Sequence, residues 1–247
     1  MDRMLYISMS TAQQTMRAQA ANSNNLANIN TTGFRADFEQ FRSIPILGDG
    51  LATRVYSASE RIATNFEQGS TQSTGRELDI SIQGEGFIAV QGKDGREGYT
   101  RAGDLHITST GQLTTGTGLV VLGEGGPISI PAAEKVEIGA DGTISIRPLG
   151  SSASALAQLD RIKLVKPELS QIHKGVDGLI RQNDGNPAPL DATVKVASGT
   201  LESSNVNAVG ALVKMIALQR QYEMQIKMMA TAQENSTSSA RLLQLGS

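Results

Sequence analysis

The last stretch of the chain, Leu201 to Leu245, constrains the fold most, because it reads as one helix too long for a chain of this size to cover. It contains no Pro, and Gly210 is its only glycine. Apolar or small residues fall at Ala208, Leu212, Met215, Tyr222, Ile226, Met229, Ala240 and Leu243, spacings that keep to one face of a helix. Gln219, Gln233 and Ser236 interrupt the stripe, so the seam is soft. Val209, Val213 and Ile216 form a second apolar stripe on the first half. A helix of roughly 40 residues is about 60 Å long. One short chain cannot cover that length on several faces, so the neighbours are expected to be other copies or other subunits. The alternative is a helix packed inside its own globular domain.

Residues 1–28 also read as a helix, with Leu5, Met9, Ala12 and Met16 on one face and no Gly or Pro among them. The remainder is largely Gln, Asn, Ser, Thr and Ala, so this helix is marginal by itself and needs a partner. The C-terminal helix is the obvious one, which predicts that the two ends of the chain pair. The opening residues hold an early Arg but no continuous apolar run, so they are not expected to be a cleaved secretory signal. No stretch of 18 apolar residues suggests a transmembrane helix.

Between the ends the periodicity changes. Leu78, Ile80 and Ile82 alternate with polar residues, and short apolar runs follow at 87–90, 119–122, 128–130, 136–138, 144–146 and 162–165. Turn pairs separate them at Asp94-Gly95, Asp141-Gly142, Asp177-Gly178 and Asp184-Gly185. Residues 78–200 therefore predict an antiparallel all-β domain, part barrel or sandwich. Residues 35–77 hold two apolar pieces, 44–47 and 51–56, amid Ser, Thr, Gln and Gly, and 151–157 is a small-residue loop. The fold class expected is α+β: paired, coiled-coil-like terminal helices and a central antiparallel β domain outside them.

Composition excludes several functions. Lys+Arg 22 against Asp+Glu 24 leaves a net charge of -2, with no basic patch for nucleic acid. Aromatics are 4% with no Trp, so base stacking and aromatic-lined pockets are poorly supplied. The absence of Cys removes disulfides and thiolate metal sites. His106 and His173 stand far apart, and four aspartates precede Gly, where Asp is a turn former. The glycines around Glu85 and Glu124 fit neither a dinucleotide fingerprint nor a phosphate loop. No catalytic constellation, metal site or cofactor is expected. Met224, Met228 and Met229 read as core or interface, and Arg220 and Glu223 as surface charges that pair with neighbours or face water.

Two strings go further. Asn24-Asn-Leu-Ala-Asn-Ile-Asn-Thr-Thr-Gly-Phe-Arg35 resembles the N-terminal signature of bacterial flagellar axial proteins of the rod and hook. Leu201-Glu-Ser-Ser-Asn-Val-Asn207, followed by Met215-Ile216, Gln219-Arg220, Tyr222-Glu223 and Lys227, resembles the C-terminal one. The opening Met1-Asp-Arg-Met-Leu-Tyr6, together with 123–128, 140–145 and 161–166, looks like the proximal rod members. The resemblance implies a non-enzymatic structural subunit divided into an N-terminal tube helix (1–34), an extended arm (35–77), the β domain (78–200) and a C-terminal tube helix (201–247). It implies helical assembly with copies of itself and other rod subunits, export by the flagellar type III apparatus, and a place in the rod within the periplasm as a drive shaft around the export channel. The alternatives are a distal rod or hook-type subunit, or a β-rich adhesion protein on a coiled-coil stalk. The stripes and signatures together propose subunit-interface positions at Leu5, Met9, Met16, Asn25, Leu26, Asn28, Gly33, Phe34, Asn205, Val206, Leu212, Met215, Ile216, Arg220, Tyr222, Glu223, Ile226 and Met229.

Overall fold

The computed structural model describes residues 3–45, 55–148, 150 and 156–245. The apolar pieces 44–47 and 51–56, the loop 151–157 and the side chain of Leu243 lie wholly or partly outside the described residues. The chain forms two compact units. One comprises Met1–Ala27, Asp37–Asn65 and Val206–Ser247, and the other Asn28–Ala36 and Phe66–Asn205.

The first unit is built on two helices, α1 (Arg3–Ala27) and α2 (Ala208–Leu245). α2 starts where Asn207 turns its side-chain oxygen onto the Gly210 N–H at 3.0 Å, a side-chain cap on an otherwise unpaired helix donor. α1 carries many hydroxyls, and several fold back on its own carbonyls, as Thr11 and Thr15 do on Ile7 and Thr11 at 2.9 Å. The two helices pack along each other. Asn22 donates to the Ala211 carbonyl at 2.8 Å near the start of α2. The buried positions of α1 run back from there and those of α2 run forward, so the pair is antiparallel.

The seam between them follows only part of the apolar stripe. On α1 the buried positions are Ser8, Ala12, Thr15, Ala18, Asn22 and Asn25, of which Asn22 reaches α2 and Asn25 reaches β1. On α2 the buried positions are Ala211, Leu218 and Ala232, with Met215, Tyr222, Gln225 and Met229 half-buried between them. That set alternates steps of four and three, the repeat that holds one helix face toward a partner. Leu212 and Ile226, from the sequence stripe, sit one position round and are exposed.

Within the stretch read as an extended arm, two strands pair. β1 (Asp37–Pro45) and β2 (Val55–Thr64) form a two-stranded antiparallel ribbon with a register shift at Gln40/Phe41, and the ribbon packs on α1. Phe38, Phe41, Ile44, Val55, Tyr56 and Ile62 supply the β-favouring residues.

The second unit is all β. In chain order its first strands are β3 (Thr71–Ser73), β4 (Ile80–Gln83), β5 (Phe87–Gln91), β6 (Glu97–Thr100), β7 (Leu105–Ile107), β8 (Leu113–Thr115), β9 (Val120–Gly123) and β10 (Gly126–Pro127). Then come β11 (Ala133–Ile138), β12 (Thr143–Pro148), β13 (Ala157–Arg161), β14 (Leu164–Val165), β15 (Ile172–Lys174), β16 (Ile180–Gln182), β17 (Lys195–Ser198) and β18 (Thr200–Glu202). The main sheet runs β15-β16-β6-β5-β9-β8-β7, with β10 on β9 and β14 on β5. β11-β12-β13 form a second sheet, and β17 pairs with β4 and β18 with β3. Each pairing is antiparallel, as the tight Asp-Gly turns require.

The run Phe87-Ile-Ala-Val90 is continuously apolar because β5 is buried on both faces. Ile88 and Val90 join the main core with Ile80, Leu113, Val121 and Ile144, while Phe87 and Ala89 join a second cluster with Tyr99, Val165 and Ile180. Tyr99 is 1% exposed, and its hydroxyl oxygen accepts the Ala188 N–H. Burial pushes its pKa up to about 12.

Candidate functional site

The two sequence signatures meet within the second unit. Residues 28–36 leave α1 through a turn in which the Thr31 N–H reaches the Asn28 carbonyl at 3.2 Å and the Phe34 N–H reaches Thr31 at 3.3 Å. Gly33 then takes a left-handed φ of 66°. A Cβ there would lie 2.2 Å from the Arg101 carbonyl carbon, so this position excludes every side chain. The Gly33 N–H donates to the Glu202 carbonyl at 2.8 Å. Phe34 lies beneath Lys174, whose ammonium sits 4.0 Å from the ring centroid and donates to the Arg35 carbonyl at 2.8 Å.

A buried charge cluster closes the junction. The Glu202 carboxylate receives Arg101 Nη1 on Oε2 at 2.9 Å and holds Arg35 Nη2 2.6 Å from Oε1, and Oε1 also accepts the Gly69 N–H at 2.9 Å. The side chains of Arg35, Arg101 and Glu202 are 2%, 3% and 2% exposed. Arg101 is fully engaged, since Nε donates to the Gly86 carbonyl at 2.8 Å and Nη2 to Gly84 at 2.6 Å. Arg35 is not: the short contact to Glu202 lacks hydrogen-bond alignment, and Nε and Nη1 have no hydrogen-bond partner among the described residues. Burial pulls the Arg35 pKa down, the attraction of Glu202 opposes that, and the like charge of Arg101 adds to it. One carboxylate thus faces two guanidiniums in a nearly dry site.

Asn205 adds a neutral stitch. Its oxygen accepts the Ala36 N–H at 2.7 Å and its amide donates to the Glu67 carbonyl at 2.9 Å. In the first unit Asn25 does the same for β1, donating to the Asp37 carbonyl at 2.6 Å and accepting the Asp37 N–H at 2.9 Å. Such side chains act as surrogate backbone where no strand neighbour is present.

The proposed positions therefore fall into two groups. Asn25, Gly33, Phe34 and Asn205 have contacts inside the chain that account for their residue types, and Leu5, Leu26, Asn28, Val206, Met215, Tyr222 and Met229 are half-buried. Met9, Met16, Leu212, Ile216, Arg220, Glu223 and Ile226 are exposed. Sequence reasoning missed Arg35, Arg101 and Glu202 as a cluster. The available signal was one charge of each sign inside the two signatures, Arg35 and Glu202; Arg101 lies in no pattern.

Among the described residues no three His, Asp or Glu side chains are grouped to hold a metal, and no helix is long and apolar enough to cross a membrane. A shallow cleft of about 610 Å³ beside Gly123 to Gly126 contains Lys163 and Glu97, which neutralise each other at 2.8 Å. His106 is held by Asp104 and Arg76, and His173 by Asn183, with no shared partner.

Comparison with known proteins agrees with this geometry. Residues 5–35 match the family described as flagella basal body rod protein, 81–146 the flagellar hook protein FlgE/F/G D1 domain, and 197–242 the flagellar basal body rod FlgEFG protein C-terminal family. The chain is 40% identical to the flagellar basal-body rod protein FlgF of Escherichia coli, over 99% of this chain and 100% of that one. It is 36% identical to FlgF of Caulobacter vibrioides, over 98% of each chain. It is 33% identical to the rod protein FlgG of Bacillus subtilis, over 85% of this chain and 88% of that one. With both end families seated on the paired helices and the buried junction, and with relatives aligned over nearly its whole length, the chain belongs to the flagellar basal-body rod protein family and is FlgF-like.

Proposed function

We infer that the chain is a non-enzymatic structural subunit of the flagellar rod, of the proximal type, working by packing rather than by chemistry. The observation that carries this reading is the inverted distribution of side chains on the terminal helices. The small and polar residues face the partner helix, whereas Met9, Met16, Val209, Leu212, Val213, Ile216, Met224 and Ile226 are each between 43% and 70% exposed. Covering side chains of this size is worth about 1–2 kcal/mol apiece, so a helix pair with this surface gains much by joining others. Antiparallel, coiled-coil-like pairs packed side by side make a tube. Contacts that do not close on themselves extend it as a helical filament of copies and other rod subunits. Close-packed interfaces deform little, which suits a shaft that transmits torque across the periplasm around an export channel. A wholly intracellular fold would not serve this role, so the subunit is taken to travel through the flagellar type III apparatus.

The test is Ile226→Asp in the full chain. The isolated protein keeps its melting temperature, because the residue is 43% exposed. Basal bodies purified from cells carrying it lack the subunit, because the charge would be buried unpaired on assembly. Rods of normal composition from this variant would remove Ile226 from any subunit contact and weaken the packing role of the whole face.

A further inference from the structure

We propose that residues 199–205 form a closing strap that, with Glu202 as its bolt, fixes the N-terminal segment 28–36 to the β unit and opens as one piece while the main sheet stays closed. Three observations carry this. First, the strands of the main sheet all fall between Phe87 and Gln182, and none of them pairs with the strap. The strap pairs through β18 with the peripheral strand β3, whereas Val194 and Val196 just before it are buried in the main core and stay with it. Second, the strap gathers every other peripheral piece. The Gly33 and Gly69 N–H groups end on Glu202, Thr74 donates to the Gly199 carbonyl at 2.8 Å, Ser203 donates to Ser70 at 2.9 Å, and Asn205 binds Ala36 and Glu67. Residues 28–36 are also tied by Lys174, which donates to the Arg35 carbonyl, to β15 at the edge of the main sheet.

Third, the bolt is unbalanced. One carboxylate is buried with two guanidiniums, and Arg35 keeps Nε and Nη1 without a hydrogen-bond partner among the described residues in a site it occupies at 2% exposure. Opening returns both arginines to water and recovers the hydration that the closed state forgoes. No such return accompanies opening of the main sheet, where Ile88, Val121 and Ile144 would lose their burial. The strap is thus the cheaper of the two openings, and it frees the N-terminal and C-terminal signatures from the β unit in a single step. This goes beyond the packing role, since it concerns the subunit before any neighbour is present.

The experiment is native-state hydrogen exchange on the full-length monomer. The amides of Gly33, Gly69, Thr74 and Ser203 report the strap, and those of Ala89, Ile128 and Lys163 report the main sheet. In the unaltered chain the strap amides exchange with one common opening, about tenfold or more faster than the sheet amides. Glu202→Gln removes the counter-charge and accelerates the strap group by about a hundredfold while the sheet group moves little. Gly33→Ala drives a methyl group into the Arg101 backbone, unseats residues 28–36 while all three charged side chains are kept, and accelerates the same group. The proposal falls if strap and sheet amides of the unaltered chain exchange together, or if Glu202→Gln deprotects both groups alike or neither.

Discussion

The two units of this molecule solve burial in opposite ways. In the β unit Ile80, Ile88, Leu113, Val121, Ile144 and Ile162 are all fully buried, and the exposed large apolar residues are scattered singly. On the two helices of the other unit the buried side chains, among the described residues, are alanines, Ser8, Thr15, Asn22 and Asn25 with a single leucine, and the large apolar residues are otherwise half-buried or exposed. Small residues let helices approach closely but remove little apolar area from water, so the helix pair contributes little to its own stability. The β unit is a finished core; the helical unit is half of an interface. A chain that must be stable as a monomer and then join a filament can divide the two tasks in this way.

The largest expected effect breaks the finished core. Ile88 is 0% exposed on a strand buried on both faces. Ile88→Asp places an unpaired carboxylate there and costs about 4 kcal/mol or more, enough to abolish the cooperative thermal transition. The check is a circular-dichroism melt of the isolated protein. A transition within a few degrees of the unaltered chain would mean that the β unit does not supply the stability assigned to it.

A smaller effect belongs to the second cluster of the same unit. Tyr99 is raised from the ordinary 10.0 to about 12 by burial. The protonated, neutral form is the one the fold keeps, so below pH 10 the group adds no pH dependence. Between pH 10 and about 12 the unfolded chain ionises first, and stability falls as the pH rises. The loss approaches about 2 kcal/mol at the top of that window. Tyr99→Phe should lose this slope while costing about 1 kcal/mol at neutral pH, because the Ala188 N–H loses its acceptor. Denaturant titrations of both proteins at several pH values test this. Equal slopes above pH 10 would show that the hydroxyl is solvated in the native state.

What the sequence made legible follows from the same contrast. The β runs Phe87–Val90, Val136–Ile138 and Ile144–Ile146 were readable because a dry core demands large apolar residues, and all four Asp-Gly pairs place their glycine at positive φ. The helices were readable from the length free of Gly and Pro. The seam was not. A search for large apolar residues selects Leu212 and Ile226, whereas the buried positions of α2 include Ala211 and Ala232, which carry little hydrophobic signal. β1 and β2 were hidden among polar residues, and β17 and β18 are short strands with distant partners. The Arg35–Glu202–Arg101 cluster was hidden for another reason: isolated charges in sequence carry no mark of burial, and their meeting depends on the closed fold.

The smallest effect on the monomer is also the one that separates the two faces of α2. Ala232 is 1% exposed in the seam, and Leu212 is 48% exposed away from it. Ala232→Leu overfills a close helix contact and should destabilise the helical unit by about 1–2 kcal/mol. Leu212→Ser removes an apolar side chain that the monomer scarcely covers, so it should shift monomer stability by no more than about 0.5 kcal/mol. If the outer face is an interface, the order reverses on assembly: Leu212→Ser weakens incorporation into rods more than its negligible monomer cost allows, because the serine cannot repay the covered area. Paired melts and quantification of the subunit in purified basal bodies give both numbers for each variant. A Leu212→Ser chain that melts normally and incorporates normally would leave the exposed face without an occupant, and the inverted distribution would then be a property of the monomer alone.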